Sequence, residues 1–150
     1  MGLQTEVMTK LKEAMRAKDA VALESLRAIK SAILLEQTQT AGKAELTPEA
    51  EIKLLQKLVK QRRDSAAIFK EQGRDDLAQP EEAQIEVISQ FLPKQLSEDE
   101  VAVVIDKVIE ATGANSMKDM GKVMGMATKQ LAGQADGKTI STLVKQKLGA

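Results

Sequence analysis

Apolar side chains recur along this chain at intervals of three and four residues, the spacing that lines one face of an α-helix. Leu3, Val7, Leu11 and Met15 form one such face, and Ala22, Leu26, Ile29 and Ile33 form a second in a helix starting near Asp19. A loop rich in Thr, Gly and Ala follows. Thr47 then reads as an N-cap, with Pro48 at the first helical position and Glu49 and Glu51 in the positively polarised first turn. The helix they open is the longest of the chain, with a seam through Ile52, Leu55, Val59, Ala66 and Phe69. Gly73 is placed to take the left-handed conformation that ends it. From Asp75 to Gln90 a further helix is expected, interrupted or restarted at Pro80, which lacks a backbone donor.

The clearest internal boundary is "FLPKQLSEDE". Pro93 disfavours helix at Leu92, and Ser97 followed by Glu100 is a capping box that launches a helix through Val101, Val104, Ile105 and Val108. Thr112 and Gly113 stop that helix. Ser116 is expected to cap the next, with Asp119 in its first turn, and Asp136 the last, through Ile140, Leu143, Val144 and Leu148. No segment alternates apolar and polar residues long enough to argue for a sheet. The pattern predicts an all-α chain: an N-terminal helical bundle domain over 1–92 and a small C-terminal three-helix domain over 93–150.

The stretch "AGQADGKTIS" ends in the Gly-Lys-Thr that closes a phosphate-binding P-loop. That loop needs Gly, four residues, then Gly-Lys-Ser/Thr after a strand. Here Ala132 stands where the first glycine belongs and a helical pattern precedes it, so the triplet reads as the first turn of the final helix.

Composition removes much of the catalytic repertoire. The 150 residues include no His, Cys, Trp or Tyr, leaving carboxylates, lysines and hydroxyls for any chemistry near neutral pH. Without cysteine there is neither a disulfide framework nor a thiolate metal site, and no cofactor or metal is expected. The N-terminal residues carry charges every few positions, which argues against a signal peptide or anchor, and no apolar run approaches the length of a membrane span. An enzyme built on this chain would draw on Asp75, Asp76 and Glu82 near Arg74.

Net formal charge is zero, yet it is unevenly spread. From Gly113 onward Lys118, Lys122, Lys129, Lys138, Lys145 and Lys147 stand against only Asp119 and Asp136, a bias that suits an anionic partner such as RNA. Within the penultimate helix, Met117, Met120, Met124, Ala127 and Leu131 fall on one stripe, read as core, while Lys118, Lys122 and Lys129 fall on another. Gly121 and Gly125 lie between them and suggest close approach of another backbone, a neighbouring helix or a phosphate chain. A solvated helix face is the plain alternative for the lysines. In the long helix Lys57, Lys60, Arg62 and Arg63 lie within two turns, with Arg62 at a seam position where pairing with a carboxylate between helices is expected. Phe69 and Phe91 are the only aromatics, so RNA contact would go to phosphate, sugar and shape.

Six stretches carry a family resemblance: "MRAKDAVALESLRAIKSAI", "VKQRRDSAAIF", "GRDDLA", "FLPKQLSEDE", "SMKDMGKVMG" and "ADGKTISTLVKQKL". In order and spacing they resemble the GatB/YqeY family over nearly the whole chain. The resemblance implies an all-helical fold whose C-terminal part is similar to the tail of the B subunit of glutamine-dependent tRNA amidotransferase, a domain also appended to some glutaminyl-tRNA synthetases, where it helps hold tRNA. It carries a label of carbon–nitrogen ligase activity with glutamine as amido donor. Neither the amidase signature nor the kinase-like cradle of that reaction is present, so the implied role is participation without catalysis. Two positions depart from the family: Pro80, in a segment that is usually a continuous polar helix, and Gln84, where an acid is common.

The expectation is thus a cytoplasmic, RNA-facing accessory module. It would bind tRNA through Lys118, Lys122, Lys129, Lys138 and Lys145, with Gly121 and Gly125 allowing close approach and the N–H groups after Asp136 open to a phosphate. Aminoacyl-tRNA synthetase or amidotransferase components are the implied protein partners. The alternative is a protein-interaction module of the translation machinery that ignores RNA.

Overall fold

The computed structural model describes residues 2–39 and 46–149, and every regular element among them is helical. The order is α1 (Leu3–Ala17), α2 (Ala20–Gln39), α3 (Pro48–Glu71), α4 (Asp75–Ser89), α5 (Glu98–Thr112), a 3-10 turn (Met117–Asp119), α6 (Met120–Gln130) and α7 (Gly137–Gly149). The Thr-, Gly- and Ala-rich loop expected after α2 lies largely outside the described residues. Backbone contacts divide the chain into two compact units, Met1–Leu92 and Pro93–Ala150.

In the first unit α4 packs against α2 and α3, and α1 packs against α2. The helix starts follow local chemistry. Thr47 accepts the Ala50 N–H at 3.2 Å, and Asp19 accepts the Ala22 N–H at 3.1 Å. Glu51, besides favouring the α3 N-terminus, accepts the Leu3 N–H at 3.3 Å and ties the start of α1 to α3. Between α1 and α2 Lys18 takes φ 56°, the left-handed region more usual for Gly or Asn, and Gly73 takes φ 71° between α3 and α4. Leu3, Val7, Leu26, Ile29, Ile33, Leu55, Val59 and Ile88 form the core.

Three expectations are corrected here. Met15 is 57% exposed, and Ala14 takes the buried place in the last turn of α1. Helix α4 runs unbroken through Pro80. The proline sits in the second turn on the exposed side, so the one carbonyl it leaves without a helical donor, that of Asp76, belongs to an exposed residue and water can satisfy it. Arg62 pairs with an amide: its Nε donates to Gln84 Oε1 at 2.7 Å and its Nη1 to the Leu58 carbonyl at 3.1 Å. Gln84 is only 8% exposed, and this neutral acceptor on α4 satisfies a guanidinium that would otherwise interrupt the seam.

In the second unit α5, α6 and α7 pack on one another around Val101, Ile105, Val108, Val123, Ala127, Ile140 and Val144. The capping box is complete: Glu100 N–H donates to Ser97 Oγ at 3.2 Å and Ser97 N–H to Glu100 Oε1 at 3.1 Å. Hydrogen bonding to the carboxylate, first from the Ser97 N–H and then from the Ser97 side chain, holds the Glu100 carboxyl below its ordinary value. Gly113 ends α5 at φ 67°.

Replacing Gln84 with Ala should lower stability by roughly 1–3 kcal/mol by leaving the half-buried guanidinium short of an acceptor, whereas Gln84→Glu should keep the pair; denaturant melts of both variants read the difference. Ser97→Ala should cost about 1 kcal/mol. Because folding lowers the Glu100 pKa, its contribution is present above the unfolded carboxylate value of about 4.3 and is lost as pH falls through the lower folded value. Thermal melts should therefore separate Glu100→Gln from wild type at pH 7 and bring the two together in strong acid.

Candidate nucleic-acid interface

The second unit holds all seven residues singled out for RNA. Lys118 lies in the 3-10 turn; Gly121, Lys122, Gly125 and Lys129 lie on α6; Lys138 and Lys145 lie on α7. All seven are exposed. On α6 the buried residues are Val123 and Ala127, and Leu131 follows them on the same side. Helical periodicity places Lys122, Lys129 and the two glycines on the opposite arc; Lys118 precedes them in the 3-10 turn. Lys138 and Lys145, seven residues apart, share one stripe of α7, away from Ile140, Val144 and Leu148.

None of these five lysines makes an ion pair or hydrogen bond among the described residues. Lys147 differs. Its Nζ lies 2.7 Å from Asp106 Oδ1 on α5, and it is the less exposed partner in that pair, so it braces the core instead of facing outward. The C-terminal positive charge thus divides into one structural lysine and five unpaired ones.

The stripe read as core reaches it in part: Ala127 and Leu131 are buried, and Met120 and Met124 pack against that core. Val123, which the stripe omitted, is fully buried, Met120 and Met124 are half-buried, and Met117 is 46% exposed. The 3-10 geometry of Met117–Asp119 rotates that turn out of register with the helix beyond, which starts only at Met120. Ser116 makes no side-chain cap, and Asp119 instead accepts the Asn115 N–H at 3.1 Å. Met126, 36% exposed on the outer side, was not anticipated; its spacing of three from Lys129 and four from Lys122 is the signal that would have found it.

Gly121 and Gly125 also behave differently from one expectation. A Cβ built on either meets no atom within 4 Å, so no neighbouring helix demands them. They leave bare backbone on the outer face.

At α7 the Gly137-Lys138-Thr139 triplet is the first turn of the helix. Asp136 Oδ1 accepts the Thr139 N–H at 2.7 Å, so the N-terminus already holds a carboxylate. The expectation that these N–H groups stand open to a phosphate is therefore corrected: an anion there would meet the Asp136 charge.

Two of the three acids named for an enzymatic reading, Asp76 and Glu82, are engaged within the first unit. Arg74 Nε and Nη2 donate to the two oxygens of Asp76 at 3.1 and 3.0 Å, and Lys70 pairs with Glu82. The hydrogen bond from Arg74 holds the Asp76 carboxyl below its ordinary value, away from the neutral range a general acid uses. Among the described residues no group of three or more carboxylates could hold a metal ion, and no helix is long and apolar enough to cross a membrane.

Fold and surface together define an all-helical protein that presents unpaired lysines on helices lacking any aromatic side chain. The chain belongs to the Yqey-like protein family, whose sequence model matches residues 4–148. It is 30% identical over 143 residues to Altered inheritance of mitochondria protein 41, mitochondrial, from Pyrenophora tritici-repentis, covering 93% of this chain and 77% of that protein. The protein of the same name from Clavispora lusitaniae is 38% identical over 90 residues, 60% of this chain and 51% of that one. A glutamyl-tRNA(Gln) amidotransferase subunit from Thermococcus gammatolerans is 39% identical over 84 residues, which amount to 53% of this chain but 13% of that much longer protein.

The open surroundings of Gly125 yield a direct prediction. Gly125→Ala should raise the stability of the protein by about 1 kcal/mol, the helix-propensity difference, because the added methyl meets nothing. Gly121, at the second position of α6, should gain less; chemical denaturation of the two single variants compares them.

Proposed function

We propose that this protein is a tRNA-binding accessory module, with 1–92 and 93–150 as its N-terminal helical bundle and C-terminal three-helix domains. The observation that carries this reading is the set of five exposed, unpaired lysines, Lys118, Lys122, Lys129, Lys138 and Lys145, on the 3-10 turn, α6 and α7. Charge without an internal partner does not brace the fold, whereas a phosphate backbone would release counterions on meeting it. The similarity to an amidotransferase component whose name contains glutamyl-tRNA(Gln) supports tRNA as the kind of RNA. Since the chain spans so little of that protein, the carbon–nitrogen ligase label attaches here as participation, with aminoacylation or amidation components as protein partners. The compartment follows the translation system served: cytoplasmic on the reading of the sequence, with the mitochondrial relatives as the competing precedent.

One observation favours a second reading, a protein-interaction module. Between α2 and α3 runs a groove of about 580 Å³ whose lining includes Leu35, Leu54 and Leu58, with Lys53 and Lys57 beside them. Leu35 is 60% exposed there. A partner helix could use that groove without any RNA.

The two readings separate in one titration of bulk deacylated tRNA. Lys118→Glu with Lys122→Glu should weaken binding at least about tenfold and reduce the salt slope by roughly two, whereas Lys10→Glu with Lys12→Glu should change affinity less than about twofold. Equal effects of the two pairs, or binding insensitive to salt, would remove the lysine face from the site.

A further inference from the structure

Helix α3 carries six cationic side chains, and four of them are engaged within the chain. Lys60 pairs with Asp64, Lys70 with Glu82 and Arg62 with Gln84, and Arg63 also has a partner. The two that make no ion pair or hydrogen bond among the described residues are Lys53 and Lys57. Both are exposed, and both line the groove of about 580 Å³ between α2 and α3. They stand one turn apart, about 6 Å along the helix axis.

Beside them the wall is apolar. Ala50, Leu54 and Leu58 follow at intervals of four on the adjoining stripe of α3, and Ala32 and Leu35 line the groove from α2. Leu54 and Leu58 pack against the core of the first unit, so the groove is rooted in that core. Leu35 at its edge is 60% exposed. The acids of the lining do not neutralise the lysines. Glu36 already interacts elsewhere within the chain, and Glu49 lies in the first turn of α3, where the helix dipole favours it.

We propose that this groove docks an amphipathic α-helix of a partner protein, its apolar stripe seated on Leu35, Leu54 and Leu58 and its acidic side chains paired with Lys53 and Lys57. The inference rests on the interaction-module reading above and specifies its ligand. Length and shape suit a helix: the lining runs along α3 from Thr47 to Gln61, about 20 Å, the span of about four helical turns. Acids three or four positions apart on such a helix fall one turn apart and match the spacing of the two lysines. Extended segments find less here. Every regular element among the described residues is helical, so no sheet edge invites a strand, and the lining has no aromatic side chain to hold a polyproline segment. A phosphate backbone would meet the lysines but press its charge against the leucines, and charge buried without a partner is costly. An acidic amphipathic helix satisfies both halves of the wall.

The test selects peptides of about 18 residues, with the surface positions of a helical scaffold randomised, from a displayed library for binding to the full chain. Enriched peptides should carry an apolar stripe bordered by Asp or Glu at intervals of three or four. Leu35→Ser, and separately Lys53→Glu with Lys57→Glu, should each weaken an enriched peptide at least about tenfold. Replacing the acids of that peptide with lysine should restore its binding to the double-glutamate variant. Both variants should melt like the wild type, because the replaced side chains are exposed. If enriched peptides depend on Leu35 but carry no acids, or ignore the reversal of the lysines, this inference falls and the interaction-module reading stands. If no enriched peptide depends on Leu35, both fall. Displacement of the peptide by tRNA, or a dimer in sedimentation that Leu35→Ser dissociates, would assign the groove to RNA or to a second copy of the chain and overturn the inference.

Discussion

The stripe of Ile, Leu, Val and Ala that each helix turns inward is the interaction on which both units depend. The chain has no Trp or Tyr and only two Phe, so its cores are aliphatic: Ile29 and Ile88 are fully buried in one, Ile105, Val123 and Val144 in the other. Each such side chain contributes about 1.5–3 kcal/mol when taken from water. Because these residues bring no polar atom with them, almost every charged group must leave on the opposite face. Among the described residues the buried polar side chains are Ser25, whose hydroxyl donates to the Val21 carbonyl at 2.8 Å, and Gln84. The lysine face of α6 follows from the same constraint: Val123 and Ala127 fix which way the helix turns, and Lys122, Gly125 and Lys129 are what remains outside.

Charge is sorted within the second unit as well. Helix α5 carries Glu98, Asp99, Glu100, Asp106 and Glu110 against the single Lys107, while α6 and α7 carry lysines and no acid at all. The acids at the start of α5 suit its N-terminal dipole, and Asp106 draws Lys147 against the bundle. Of the six lysines from Gly113 onward, internal ion pairing thus uses one and leaves five. A phosphate polymer approaching this unit would be repelled by α5 and attracted by α6 and α7, so the same arrangement that stabilises α5 also orients the approach.

Helix boundaries were legible where the chemistry is local. Thr47, Ser97, Gly73, Gly113 and Asp136 act through their own side chains or backbone angles within a few residues, and a sequence displays those groups directly. What depends on a neighbouring element was not legible. Met15 and Met117 fit an apolar period yet lie outside, because the packing of α2 and the 3-10 turn decide where those turns face. Pro80 looked like a break; an exposed carbonyl one turn back made it tolerable. Arg62 at a seam position announced a buried partner, but its identity as Gln84 depends on α4 folding back against α3. The lysines themselves were plain in the sequence. Their lack of partners, which separates them from Lys147, needed the structure.

Related sequence occurs both in proteins of similar length and, for about half of this chain, within a much longer one. This chain matches 77% of one relative's length and 13% of another's, so closely related sequence occurs in very different surroundings. Asp76 and Glu82 are held by Arg74 and Lys70 within the chain. A row of exposed charges needs no completion. The spacing of its lysines on rigid helices, on which attraction of any polyanion would depend, is set by the aliphatic core beneath them.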